Sequence, residues 1–115
     1  FKAPTELIEK ALSLNTRNDC KDIHVKAGLT VSGEWFVNTR EKMQQILDKF
    51  PSATAVDMES CSIAQVCHIY KKPFLSFRVI SDIPLKDNKA SQYFDFWNRI
   101  ANGSFEVTKH FISII

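Results

Sequence analysis

Two acids flank a methionine in "VDMES", where Asp57 and Glu59 close an apolar run and open an amphipathic one. Carboxylates at such a junction can cap the following helix and gain from its dipole. A carboxylate there can also accept both hydrogen bonds of a vicinal diol. Capping is the commoner outcome, and Met58 between them is by default core filler. "RVISD" places Asp82 at the exit of another apolar run. A carboxyl partly withdrawn from water has a raised pKa, which suits a general acid, although Asp at a strand end also closes turns. Arg78 lies inside that run, and a buried guanidinium needs a carboxylate or a ligand. In "SGEWFVN", Trp35 and Phe36 are adjacent, so both cannot easily face inward. One of the two rings could stack on a flat heterocycle.

Other chemistries find little support. His24, His68 and His110 share no ligand spacing with one another or with Cys20, Cys61 and Cys67. The odd cysteine count, without a CxxC pair, points to a reducing compartment rather than a disulfide framework or a zinc site. The net charge of +2 is small and the basic residues are scattered, which argues against nucleic acid. No apolar run is long enough to span a bilayer, and no secretory leader pattern opens the chain. At 115 residues, 44% of them hydrophobic, one domain with a modest core is expected.

The elements that must position these residues alternate. "APTELIEKALSLN" predicts a helix with Leu7, Ile8, Ala11 and Leu12 on one face, and "IHVKAGLTVS" a strand. "NTREKMQQILDKF" predicts a helix capped by Asn38, with Glu41 three residues on, stopped by Pro51. "SATAVDM" reads as a second strand, and "SCSIAQVCHIYKK" as a helix with Ile63, Val66, Cys67 and Tyr70 on its apolar stripe. "FLSFRVIS" reads as a strand covered on both faces, and a long terminal helix runs from Tyr93, locally weakened at Gly103. Alternation of this kind means crossover units and a parallel sheet, with ligands beyond the carboxyl ends of the strands. Gly33–Val37, Asp57–Ser60 and Ser81–Asp82 occupy those ends.

"GLTVSGEWF", "FPSATAVDMESCSIAQVCHIYKKPFLSFRVISD" and "YFDFW", in this order, resemble the 5′-methylthioadenosine/S-adenosylhomocysteine nucleosidases and, more broadly, the purine nucleoside phosphorylase-like family. Met-Glu followed at a fixed distance by Arg-x-x-Ser-Asp is the most specific part. The resemblance implies a three-layer α/β/α sandwich with a mostly parallel central sheet, and cleavage of an adenine N-glycosidic bond by water. It implies that Asp82 donates a proton toward N7 of the leaving adenine, with Ser81 orienting it. Phe36 would stack on the base and the Val37 backbone would read its edge. Glu59 would hold the ribose hydroxyls over Met58, Arg78 would lie near the attacking water, and Phe94 would line a 5′-thioalkyl pocket. Asp57 is then left as a structural carboxylate.

The resemblance also implies a cytoplasmic, homodimeric enzyme of methionine salvage acting on a small nucleoside, with no metal, cofactor, nucleic acid or membrane. Relatives usually read "SGD" where this chain has Glu34 and "VEME" where it has Asp57. Residues 1–115 correspond to the C-terminal part of a single domain. The N-terminal half would supply the glutamate that activates water and much of the homodimer surface, so the stretch alone is expected to be inactive. A phosphorylase of the same fold and a non-catalytic nucleoside-binding relative are the alternative readings.

Overall fold

The computed structural model describes residues 1–86, 96, 100 and 103–115. Helix α1, Thr5–Ser13, starts where the Leu7 and Ile8 amides reach the Pro4 carbonyl, and a Glu6–Lys10 pair at 2.9 Å spans one turn of its outer face. Two short 3-10 turns, Leu14–Thr16 and Asn18–Cys20, then fold the chain back. The regular elements that follow are β1 (Leu29–Ser32), α2 (Arg40–Lys49), β2 (Ala53–Asp57), α3 (Ser60–Ile69) and α4 (Gly103–Ile114). The expected alternation is present from α1 to α3, and no third strand forms among the described residues. β1 and β2 pair in parallel through the α2 crossover.

The first strand is shorter than its sequence pattern. Alternation extends back to Ile23, but the Asn15 side chain takes both backbone groups of Val25. It donates to the carbonyl at 2.8 Å and accepts from the amide at 2.7 Å, so Val25 has no ladder bonds to give a neighbour. "FLSFRVIS" forms no strand among the described residues, because a strand exists only through a partner's ladder. Its residues Leu75 and Phe77 pack instead on the core. The cap of α2 also shifts by one residue: Thr39 Oγ1 accepts from the Lys42 amide at 3.2 Å, and Asn38 accepts from the Lys42 ammonium.

The core forms where α1 meets α4. Ala11, Leu14, Cys20 and Phe111 are buried, with Leu7, Ile23, Val25, Leu75, Phe77, Val107 and Ile114 packed against them. Phe77 and Phe111 meet edge to face at 5.0 Å. Helix α3 is oriented against expectation. Its buried face is Ser60 and Ala64, whereas Ile63, Val66, Ile69 and Tyr70 of the predicted core stripe and its flank are exposed. Small residues let α3 approach the sheet closely, which turns the large ones outward.

One close approach fixes the β1–β2 register. The pairing steps from Leu29↔Ala53 to Thr30↔Ala55, so Thr54 is the extra residue of a bulge, and its hydroxyl donates to the Leu29 carbonyl at 3.2 Å. A Cβ on Gly28 would lie 2.7 Å from Thr54 Cβ, a clash that side-chain rotation cannot relieve. Gly28→Ala is expected to destabilise the protein by about 1–3 kcal/mol through forced backbone movement. Urea unfolding measures it, and an unchanged midpoint would contradict the assignment.

Candidate active site

Polar contacts join the regions around the three expected strand exits. The Gly33 amide donates to the Asp57 carbonyl at 3.1 Å, and Ser32 Oγ receives the Cys61 amide at 3.0 Å, joining the first exit to the second. Arg78 joins the second exit to the third run: its Nε lies 2.6 Å from Asp57 Oδ2, and its Nη2 lies 2.9 Å from Ser60 Oγ and 3.9 Å from Glu59 Oε2. Arg40, at the start of α2, donates to the Leu85 carbonyl at 2.8 Å and so joins the third exit to the first. Residues 33–40, 57–60 and 78–85 therefore border one region of the surface.

Asp57 is the structural carboxylate of this region. It accepts the Ser60 amide at 3.2 Å and the Ser60 hydroxyl, which fixes the start of α3. Its side chain is 7% exposed, yet Arg78 neutralises it. Burial pushes its pKa up, but the hydrogen bonds from Ser60 and Ser32 and the Arg78 charge outweigh burial and hold it below the ordinary carboxylate range. Glu59, two residues on, is open to solvent: its side chain is 66% exposed and lies 3.9 Å from Arg78 Nη2. The "VDMES" junction thus separates two carboxylates by role, one spent on structure and one open to solvent.

The aromatic pair at the first exit is open as well. Trp35 and Phe36 are both exposed, as is Met58 across from them in the sequence pattern, while Val37 is half-buried. Lys42 Nζ donates to the Phe36 carbonyl at 3.1 Å and ties the loop to α2. At the third exit, Ser81 Oγ donates to Asp82 Oδ1 at 2.5 Å, and both residues are half-buried. Phe94 lies outside the described residues. Exposed aromatic and apolar side chains, a solvated carboxylate and a hydroxyl-held carboxyl are groups of the kinds that a flat, polyhydroxylated ligand uses.

Residue spacing did not reveal Ser60, Ser76, Arg40 or Lys42. Ser60 resembled any first residue of a helix, and Arg40 meets Leu85 across 45 positions, so no local pattern could have exposed either contact. The histidines hold a second surprise. Asp19, Cys20 and His110 converge, although 90 residues of sequence separate the ends of the cluster. Arg17 covers both Asp19 carboxylate oxygens, at 2.9 and 2.7 Å, and Glu106 lies 3.6 Å from the other His110 nitrogen. This arrangement sets the 3-10 turn that carries Asp19 and Cys20 against His110 of α4.

The sequence matches the phosphorylase superfamily over residues 1–113. The chain belongs to that superfamily. A 5′-methylthioadenosine/S-adenosylhomocysteine nucleosidase of Desulfotalea psychrophila (strain LSv54 / DSM 12343) is 34% identical over 107 residues, covering 93% of this chain and 44% of that protein. The nucleosidase of the same name from Glaesserella parasuis serovar 5 (strain SH0165) is 46% identical over 65 residues, 56% of this chain and 28% of that protein. Among solved structures, a candidate 5′-methylthioadenosine/S-adenosylhomocysteine nucleosidase from Borrelia burgdorferi B31, bound to adenine, superposes with a TM-score of 0.86 at 36% identity. It covers all of this chain, and this chain covers 48% of it. The chain thus has the α/β fold of the phosphorylase superfamily and spans less than half the length of these relatives. No helix of the described residues is long and apolar enough to cross a membrane.

Proposed function

We propose that the complete polypeptide containing this chain is a 5′-methylthioadenosine/S-adenosylhomocysteine nucleosidase. The observation that carries the reading is the set of contacts made by Arg78 and Arg40, which join the segments that carry Phe36, Glu59 and Asp82. A superfamily relative at 36% identity holds adenine, which supports an adenine nucleoside as substrate.

In this reading, Asp82 gives its proton to N7 of the adenine as the C1′–N9 bond breaks, and N9 keeps the bonding electrons. Water adds its oxygen to C1′ of the oxocarbenium-like ribosyl group. Ser81 holds the Asp82 carboxyl, Phe36 stacks on the base and the Val37 backbone meets its edge. Glu59 accepts the ribose hydroxyls above Met58, Arg78 lies by the attacking water, and Phe94 lines the 5′-thioalkyl side. The base that removes the water proton comes from the remainder of the polypeptide, since residues 1–115 form part of one domain. The reading further takes the enzyme to be a cytoplasmic homodimer that needs no cofactor.

Superfamily membership also favours a second reading, in which phosphate replaces water as the nucleophile. Adenine release from methylthioadenosine, measured with the complete protein in phosphate-free buffer, separates the two. Release at full rate without phosphate, yielding free methylthioribose, is the expected result. Release that depends on added phosphate and yields a sugar 1-phosphate would overturn hydrolysis. No release in either buffer leaves the binding-only relative as the surviving interpretation.

A further inference from the structure

We infer that Ser60 is a positioning residue that holds the Arg78 guanidinium in the site, an assignment that rests on the nucleosidase reading for its kinetic consequence. Ser60 is 6% exposed, and its hydroxyl has one proton and two acceptor lone pairs. The proton goes to Asp57 Oδ2. One lone pair faces Arg78, with Nη2 at 2.9 Å and Nε at 3.3 Å. The other faces Ser76 Oγ at 3.2 Å, so Ser76 must be the donor there. Every hydrogen-bonding capacity of Ser60 is therefore used, on Asp57 just before α3 and on Ser76 and Arg78 of the 74–81 run.

Asp57 alone cannot set the guanidinium's orientation. Its direct contact with Arg78 is at Nε, and a single contact leaves the planar group free to swing about that bond. Ser60 supplies the second point, at Nη2, and two points fix the plane. Nε and Nη2 then face Asp57 and Ser60, the side chain as a whole stays 35% exposed, and Glu59 Oε2 lies 3.9 Å from Nη2. An Arg78 so fixed presents a stationary charge beside the ribose-binding carboxylate. Removing the hydroxyl releases that orientation and leaves the charge in place.

The test uses the complete protein and two variants. Ser60→Ala is expected to lower kcat for methylthioadenosine by about 10-fold with KM within about 2-fold, because the groups that bind the nucleoside are untouched. Adding Asp57→Glu to Ser60→Ala lengthens the acid by one methylene, so its carboxylate can reach both Nε and Nη2, and should recover most of the loss. Side-chain NMR of Arg78 gives a readout that needs no turnover. Its guanidinium N–H signals should be resolved and slow to exchange in the parent, averaged in Ser60→Ala, and resolved again in the double variant. Unaltered Arg78 signals in Ser60→Ala overturn the inference even if the nucleosidase reading holds. Signals resolved in the parent and averaged in Ser60→Ala, in a protein that shows no hydrolysis, retain the positioning role and sink the nucleosidase reading instead. Averaged signals in Ser60→Ala with kcat unchanged would show that the held orientation has no bearing on turnover, which also overturns it.

Discussion

Asp82→Asn in the complete protein is expected to reduce adenine release by about 100-fold or more while nucleoside binding stays within a few-fold of the parent. Asparagine keeps the size and the capacity to accept from Ser81, whose hydroxyl donates to Asp82 Oδ1 at 2.5 Å. It has no acidic proton to deliver to N7, so the leaving base must depart unprotonated. The loss should therefore fall on the chemical step. Single-turnover kinetics give the rate, and equilibrium binding of adenine gives the affinity. A parent-like rate would remove Asp82 from the role of acid and leave only a binding protein.

The second large effect concerns stability. Asp57→Ala removes the carboxylate that pairs with Arg78 at 2.6 Å and accepts both the Ser60 amide and hydroxyl. Breaking a buried pair costs about 3–5 kcal/mol, but the Arg78 side chain is 35% exposed and water recovers part of that. We expect a loss of about 2 kcal/mol in urea unfolding, together with loss of turnover as Arg78 comes adrift. The same carboxylate sets an acid limb. Because its folded pKa is depressed, its contribution is fully present above its ordinary value of 3.8 and disappears as pH falls through the lower folded value. Stability of the parent should drop more steeply below pH 3.8 than that of Asp57→Ala. Parallel acid limbs would mean that the Asp57 carboxylate stabilises nothing.

The physics of each element explains which expectations the structure met. Helices α1, α2 and α3 were readable because their periodicity and stop signals are local, and β2 was readable because a short apolar run leads straight into the Asp57 cap. The crossover between β1 and β2 followed from alternation alone. What failed depended on distant partners. Val25 fits a strand pattern, but Asn15 takes its backbone bonds. Phe74–Ser81 has the composition of a buried strand, yet composition does not supply the ladder. The stripe on α3 has helical spacing, and spacing shows that a face exists without showing which way it turns. At the site, residue types and strand-exit placement offer Phe36, Glu59, Arg78 and Asp82 as candidates, and the roles proposed for them come from the resemblance. Ser60, Ser76 and Arg40 act across gaps of 16 to 45 positions, which no short motif spans.

The outward stripe of α3 has a practical outcome. Ile63, Val66, Ile69 and Tyr70 recur at helical spacing along roughly 10 Å of helix, a length set by the rise per residue. Aliphatic and aromatic groups arrayed so closely gain free energy from any surface that displaces their hydration water. Handled by itself, this 115-residue stretch should therefore show concentration-dependent adhesion, with light scattering that rises with concentration and falls when Val66 and Ile69 are made polar.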